Sequence, residues 1–220
     1  MVHRNRNCRA ALLFYFITLL IAVFYSIPPT LAEAPKNYLK DKFYSSVKDH
    51  FLIATEKMND NRFRETVIVM LESDEDGAWG LVINKRLGTM PIALLIDPSL
   101  HSSEEREKLF KINIPVFWGG PVNVKEIFIL HSTEYQSETT KNYGDISISQ
   151  DYNTLLDIAE NKGPEKSLVI LGYSGWADGQ LEGEMERDHW TLSDIDLNIT
   201  FDQESNTKWK KAYKSSFIKV

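Results

Sequence analysis

Four apolar residues in a row, Leu168-Val169-Ile170-Leu171, run straight into Gly172-Tyr173-Ser174-Gly175-Trp176. A strand with no polar position leaves no face for water, so this one belongs inside a sheet. Each glycine after it loses more backbone entropy on folding than any other residue would, so Gly172, Gly175 and Gly179 with two aromatics exceed what a plain connection needs. The pattern predicts a buried strand at 168–171, a Gly-rich turn at 172–179 and a short acidic helix opened by Gln180.

Around it the pattern mixes strands and helices without regular βαβ alternation, which predicts an α+β class. Strands are expected at 51–54, 66–71, 79–84, 115–118, 126–131 and 146–149, with a last one at 198–201. The runs at 66–71 and 79–84 flank an Asp-Gly turn and read as a hairpin. Helices are expected from Ser102 or Ser103 to Phe110, from Tyr152 to Glu160 with Ser149 or Asp151 as cap, and over 206–213. A short helix or loop is expected at 90–96. In the last helix Trp209, Ala212 and Tyr213 form the docking face.

The first 32 residues hold Arg4, Arg6 and Arg9, an uncharged stretch at 10–27, then Pro28-Pro29 and Thr-Leu-Ala before Glu33. This pattern predicts an export signal cut after Ala32, with an uncleaved membrane anchor through 10–27 as its rival. Residues 33–49 then form a linker and 50–220 the folded domain. The expected location is the periplasm or the inner membrane facing it, the alternative being the cytoplasm. Apart from the leader the chain is acidic, and its formal charge with the leader is −6. That balance makes nucleic acid an unfavoured partner. The lysines at 208, 210, 211 and 214 are the one basic cluster, and they read as a solvated helix face. Cys8 is the only cysteine, so the body has neither a disulfide nor a thiolate nucleophile.

Several segments together carry a resemblance: FLIATEKMNDNRF at 51–63, GAWGLVIN at 77–84, GGPV at 119–122, LH at 130–131, GYSGWADGQLEGE at 172–184 and TKW at 207–209. Their order and spacing are similar to those of the bacterial YqgE/AlgH family. The resemblance implies one α+β domain, with a bifurcated mixed β-sheet containing a small closed barrel, flanked by helices. It implies no catalytic residue and no cofactor, and a transcriptional-regulator label attaches to the family. This chain departs in its long leader and in Ser174, where the family turn reads GYAGW.

Ser174 is no nucleophile elbow, since Gly-x-Ser-x-Gly would need a glycine where Trp176 stands. Glu182, Glu184, Glu186, Asp188 and His189 lack the second histidine of HExxH, so no metal is expected. Gly119-Gly120 could cradle phosphate, but Pro121 removes a donor and a tight turn is the better reading. His131 reads as a hydrogen-bonded histidine. Gln180 and Glu184, four apart, are expected to brace the turn before them. Pocket candidates are thus Gly119, Gly120, His131, Tyr173, Trp176, Gln180 and Glu184. The favoured function is a non-enzymatic binding or regulatory domain at the envelope, acting on a protein or small molecule. Its rivals are a cytoplasmic transcriptional regulator and a hydrolase-type enzyme.

Overall fold

The computed structural model describes residues 46–97, 99 and 102–216, all within one compact unit, Asn37–Val220. In chain order the elements are β1 (His50–Ala54), β2 (Val67–Asp74), β3 (Gly77–Val82), β4 (Arg86–Pro91), a 3-10 turn (Ile92–Leu94), α1 (Ser103–Phe110), β5 (Asn113–Trp118), β6 (Val122–Ser132), β7 (Lys141–Tyr143), β8 (Ile146–Ser149), α2 (Tyr152–Ala159), β9 (Ser167–Ala177), α3 (Gln180–Glu186), β10 (Trp190–Asp194), α4 (Leu197–Thr200) and α5 (Ser205–Ser215).

The apolar run at 168–171 is central, as its composition requires. β9 pairs with β6 along one edge. On the other it pairs first with β5, in parallel, and then with β3. The sheet therefore forks at β9. One path runs β10-β1-β2-β3-β9-β6-β8-β7, and the antiparallel β4-β5 pair branches from it.

The expected closed barrel is absent: the sheet is an open, strongly curled half-barrel flanked by helices. Its path ends in β10 and β7, which do not pair. β7 is three residues long and offers too little backbone to seal a seam against β10.

Both faces of the sheet are buried. In β2, Val67, Val69 and Leu71 enter one core while Ile68 and Met70 enter another. The first core lies under α4 and α5, through Ile199, Phe201 and Ala212. The second lies under α3, through Leu181 and Met185. A third lies under α1 and α2, through Leu109 and Leu155. Each large aliphatic side chain buried this way contributes about 1.5–3 kcal/mol before entropy is charged.

Local signals explain the helix starts. Ser102 and Glu105 form a reciprocal capping box at α1. The Asp151 carboxylate accepts the Thr154 N–H at 2.8 Å and starts α2.

Two expectations from the pattern change. The Gly-rich segment is not a turn until Asp178-Gly179, because β9 continues to Ala177. Gly172 has φ +70° in mid-strand and flips the side-chain alternation. Leu168 and Ile170 face the first core before it, and Tyr173 faces that core after it. The expected strand at 198–201 is instead α4, which Asp196 caps by accepting the Asn198 N–H at 2.8 Å. The last strand is β10.

The leader and its cleavage site lie outside the described residues. The expected periplasmic or inner-membrane location, with its signal-peptide and membrane terms, is withdrawn. Among the described residues no helix is long and apolar enough to cross a membrane, a finding that leaves strand-based spans untouched.

Candidate functional site

Gly119 and Gly120 lie where the β5–β6 link crosses β9 at backbone distance. The Gly119 N–H donates to Leu171 O at 2.8 Å, and its carbonyl accepts from the Val82 N–H at 3.1 Å and the Ser174 hydroxyl at 3.0 Å. Those bonds leave the Gly119 amide and carbonyl engaged with neighbouring strands. Ser174 is 1% exposed with its hydroxyl committed to a backbone carbonyl.

His131 lies elsewhere. It pairs with Ser167 at the start of β9, seven residues and roughly 23 Å along the strand from Ser174. Its Nδ1 donates to Ser132 O at 2.8 Å, which leaves Nε2 to accept from the Ser149 hydroxyl at 2.9 Å. Burial pushes the imidazole below its ordinary pKa, against that Ser132 bond, so the neutral ring fits the network. Ser149 in turn meets the hydroxyls of Thr140 and Ser137, and Ser137 donates to Asp151. Burial alone would raise the Asp151 carboxyl. Donors from Ser137, Thr139 and Thr154 outweigh it and hold the pKa at about 2. His131 and Ser149 are fully buried. The chemistry is a proton-ordered tie between β6, β8 and the start of α2.

Tyr173, Trp176, Gln180 and Glu184 do converge on one neighbourhood. Glu184 is its hub. One carboxylate oxygen accepts both indole N–H groups, from Trp176 at 3.0 Å and Trp190 at 2.7 Å. The other accepts from Gln180 at 3.2 Å, whose own carbonyl takes the Ala177 N–H at 3.3 Å. The expected bracing of the preceding segment by Gln180 and Glu184 is therefore observed. Removing the carboxylate would strand two indole donors. Glu184→Ala is expected to cost about 2 kcal/mol of unfolding free energy. Urea denaturation reads this, and an unchanged midpoint would refute the hub.

Two concave surfaces meet at Gly175 and Trp176. The smaller, about 310 Å³, is walled by Phe63, Trp176, Trp190, Arg62, Glu184 and Arg187. The ring contacts there are edge-on: Trp176–Trp190 centroids are 5.9 Å apart and Phe63–Trp190 5.7 Å. The larger, about 690 Å³, is an open groove over Trp79, Phe128 and Tyr173, rimmed by Glu72, Asp74, Asp76 and Glu126. Trp79, Phe128, Trp190 and the rim acids escaped the reading of the sequence. One signal was available: a two-residue turn at Glu75-Asp76, just before Gly77, sets Glu72 opposite Trp79, the register observed.

Among the described residues no group of three or more His, Cys, Asp or Glu side chains could hold a metal ion. The lysine cluster disperses: Lys208 is fully buried and Lys211 pairs with Asp202.

A sequence profile described as AlgH-like matches residues 51–220. A UPF0301 protein of Methylococcus capsulatus is 34% identical over 173 residues, covering 78% of this chain and 92% of that protein. A UPF0301 protein of Stutzerimonas stutzeri is 37% identical over 164 residues, covering 74% and 85%. The solution structure of the AlgH protein from Pseudomonas aeruginosa is similar with a TM-score of 0.65 and 33% identity, over 80% of this chain and 91% of that one. A crystal structure from Corynebacterium diphtheriae, TM-score 0.56 at 16% identity over 74% and 84%, is a likeness of fold alone.

Proposed function

This chain belongs to the AlgH-like family, and from that premise we propose that it is a non-enzymatic binding domain whose ligand face is centred on Gly175 and Trp176. One observation carries the reading. Gly175 is exposed in the interior of a strand and lines both concave surfaces. A glycine inside a strand weakens it, and its use there marks a place where something approaches the backbone closely. Tyr173, Trp176, Gln180 and Glu184 line the two surfaces, Gly119 and Gly120 hold the strands behind them, and His131 ties β6 to β8 away from both. The partner is a protein or a small molecule. Nucleic acid is a poor fit to a face whose larger groove is rimmed by carboxylates.

Gly175→Leu tests this. A Cβ at 175 would lie 3.2 Å from the Tyr173 ring and 3.9 Å from Val122, so a modest ring shift accommodates it. The strand keeps its bonds, and stability should change by under about 1 kcal/mol. The leucine side chain would then stand in the larger groove, which Tyr173 and Val122 line. Immobilised full chain and variant are exposed to the same cell extract, and retained proteins and small molecules are quantified by mass spectrometry. At least one species held by the wild type should be lost from Gly175→Leu. Identical retained sets, or nothing reproducibly retained by the wild type, would sink the reading.

A further inference from the structure

The larger groove has the chemistry of a cation site. Its floor is the half-buried rings of Trp79 and Tyr173, backed by the buried Phe128: Trp79–Phe128 and Trp79–Tyr173 centroids are each 5.8 Å apart, and Phe128–Tyr173 6.0 Å. Aromatic faces carry negative quadrupole density, which attracts ammonium and guanidinium groups. The rim adds four carboxylates, Glu72, Asp74, Asp76 and Glu126. Among the described residues, no lysine or arginine is ion-paired with any of them.

Neutral side-chain donors hold two of those carboxylates in place, and the Asp76 N–H donates to a third, Asp74, at 2.9 Å. Glu72 accepts from the Trp79 indole at 2.9 Å and from the Tyr143 hydroxyl at 3.3 Å. Glu126 accepts from Asn123 at 3.1 Å and Gln150 at 2.9 Å. Such donors orient a carboxylate and leave its charge uncancelled. Burial first, and Glu72 beside it, push the pKa of the Tyr143 hydroxyl up to about 12.

Gly175 keeps the floor clear between Tyr173 and Val122. A volume of about 690 Å³ is too large for one bare ion and suits a few residues of extended chain. Resting on the binding reading above, we infer that this groove takes arginine and lysine side chains from an extended basic segment of a partner protein. The cation lies on the aromatic floor and its charge meets the carboxylate rim.

The test uses the full chain and a nine-residue peptide alternating arginine with glycine. The reporter is the Trp79 indole N–H signal in ¹⁵N-resolved NMR, because that proton sits on Glu72. The signal should shift saturably, and the shift should weaken as salt rises. The same peptide with citrulline for arginine should bind at least tenfold more weakly. So should the arginine peptide on an Asp74→Asn/Glu126→Gln double variant, whose changes lie on the rim and leave the core alone. Equal binding of the citrulline peptide would overturn the inference, as would indifference to the double variant. So would a silent Trp79 signal, or spermidine displacing the peptide at equal charge concentration, which would mark a polyamine site instead. Failure here with Gly175→Leu still releasing a partner would leave the binding reading standing. If Gly175→Leu releases nothing, that reading itself falls.

Discussion

Gly120→Ala is expected to leave little folded protein. Gly120 has φ +151°, a conformation that L side chains rarely adopt. An added Cβ would lie 2.2 Å from Tyr173 C and O and 2.3 Å from Ser174 N. All three are backbone atoms of the central strand, so no side-chain rotation relieves the overlap. β9 cannot retreat either. Around this point it is bonded to β3 at Ser174 and to β6 at Tyr173. The β5–β6 link is pinned through Gly119 to Leu171 and Val82. Relief means breaking some of these bonds, at a cost of about 4–5 kcal/mol or more. Whole domains are stable by only about 5–15 kcal/mol. Gly144→Ala supplies the contrast. It too has a positive φ, +59°, but nothing lies within 4 Å of its added Cβ, so about 1–2 kcal/mol is expected. Soluble yield and denaturant midpoints of both variants decide this. If Gly120→Ala unfolds at the wild-type midpoint, the close crossing of β9 is wrong.

That crossing also shows why some of the molecule was readable in its residues and some was not. Segments governed by local chemistry were legible. The capping box of Ser102 and Glu105, the Asp151 cap, and the β2–β3 pair around Asp-Gly all follow from spacing. Elements that exist only because a distant strand lies alongside were not. β4, with Leu87 and Gly88, has no alternation of its own, and it forms because β5 offers an edge. β7 depends in the same way on β8, and β10 on β1. At 172–177 the glycines suggested a turn, whereas a single left-handed residue at Gly172 lets the strand continue with its faces exchanged. The candidate site divided on the same line. Gln180 and Glu184 are a helical i, i+4 pair, and their bond was expected. The two indoles on Glu184 come from separate strands, and the Trp79 floor needs β3, β6 and β9 together. The closed barrel came with the resemblance and not from any residue pattern. The termini of the strand order correct it.

Lys208 gives the second large effect, and it turns on pH. Charge pattern alone places this lysine on a solvated face, yet its exposure is 0%. Its ammonium donates to Ile83 O at 3.0 Å and Thr200 O at 2.6 Å, tying α5 to the segment after β3 and to the end of α4. It also lies 5.6 Å from the centroid of the Phe117 ring. Burial lowers its pKa to about 8, with Asp202 only partly opposing the shift. In the unfolded chain the same amine titrates near 10.4. Between these values the unfolded state binds the proton and the folded state does not, so stability must rise with pH. The stabilisation is full above the unfolded pKa and is lost as pH falls through about 8. The whole span corresponds to about 3 kcal/mol. Lys208→Met keeps the packing volume and removes the titration, so the difference between wild type and variant should tilt by that amount from pH 8 to 10.5. Lys208→Ala should instead lose about 3–5 kcal/mol at neutral pH, because it opens a void and strands two carbonyls. Urea unfolding of the three proteins at intervals from pH 7 to 10.5 supplies the curves. Parallel curves for wild type and Lys208→Met would mean that the amine is in water after all, and that the last helix is held by Trp209 and Ala212 without it.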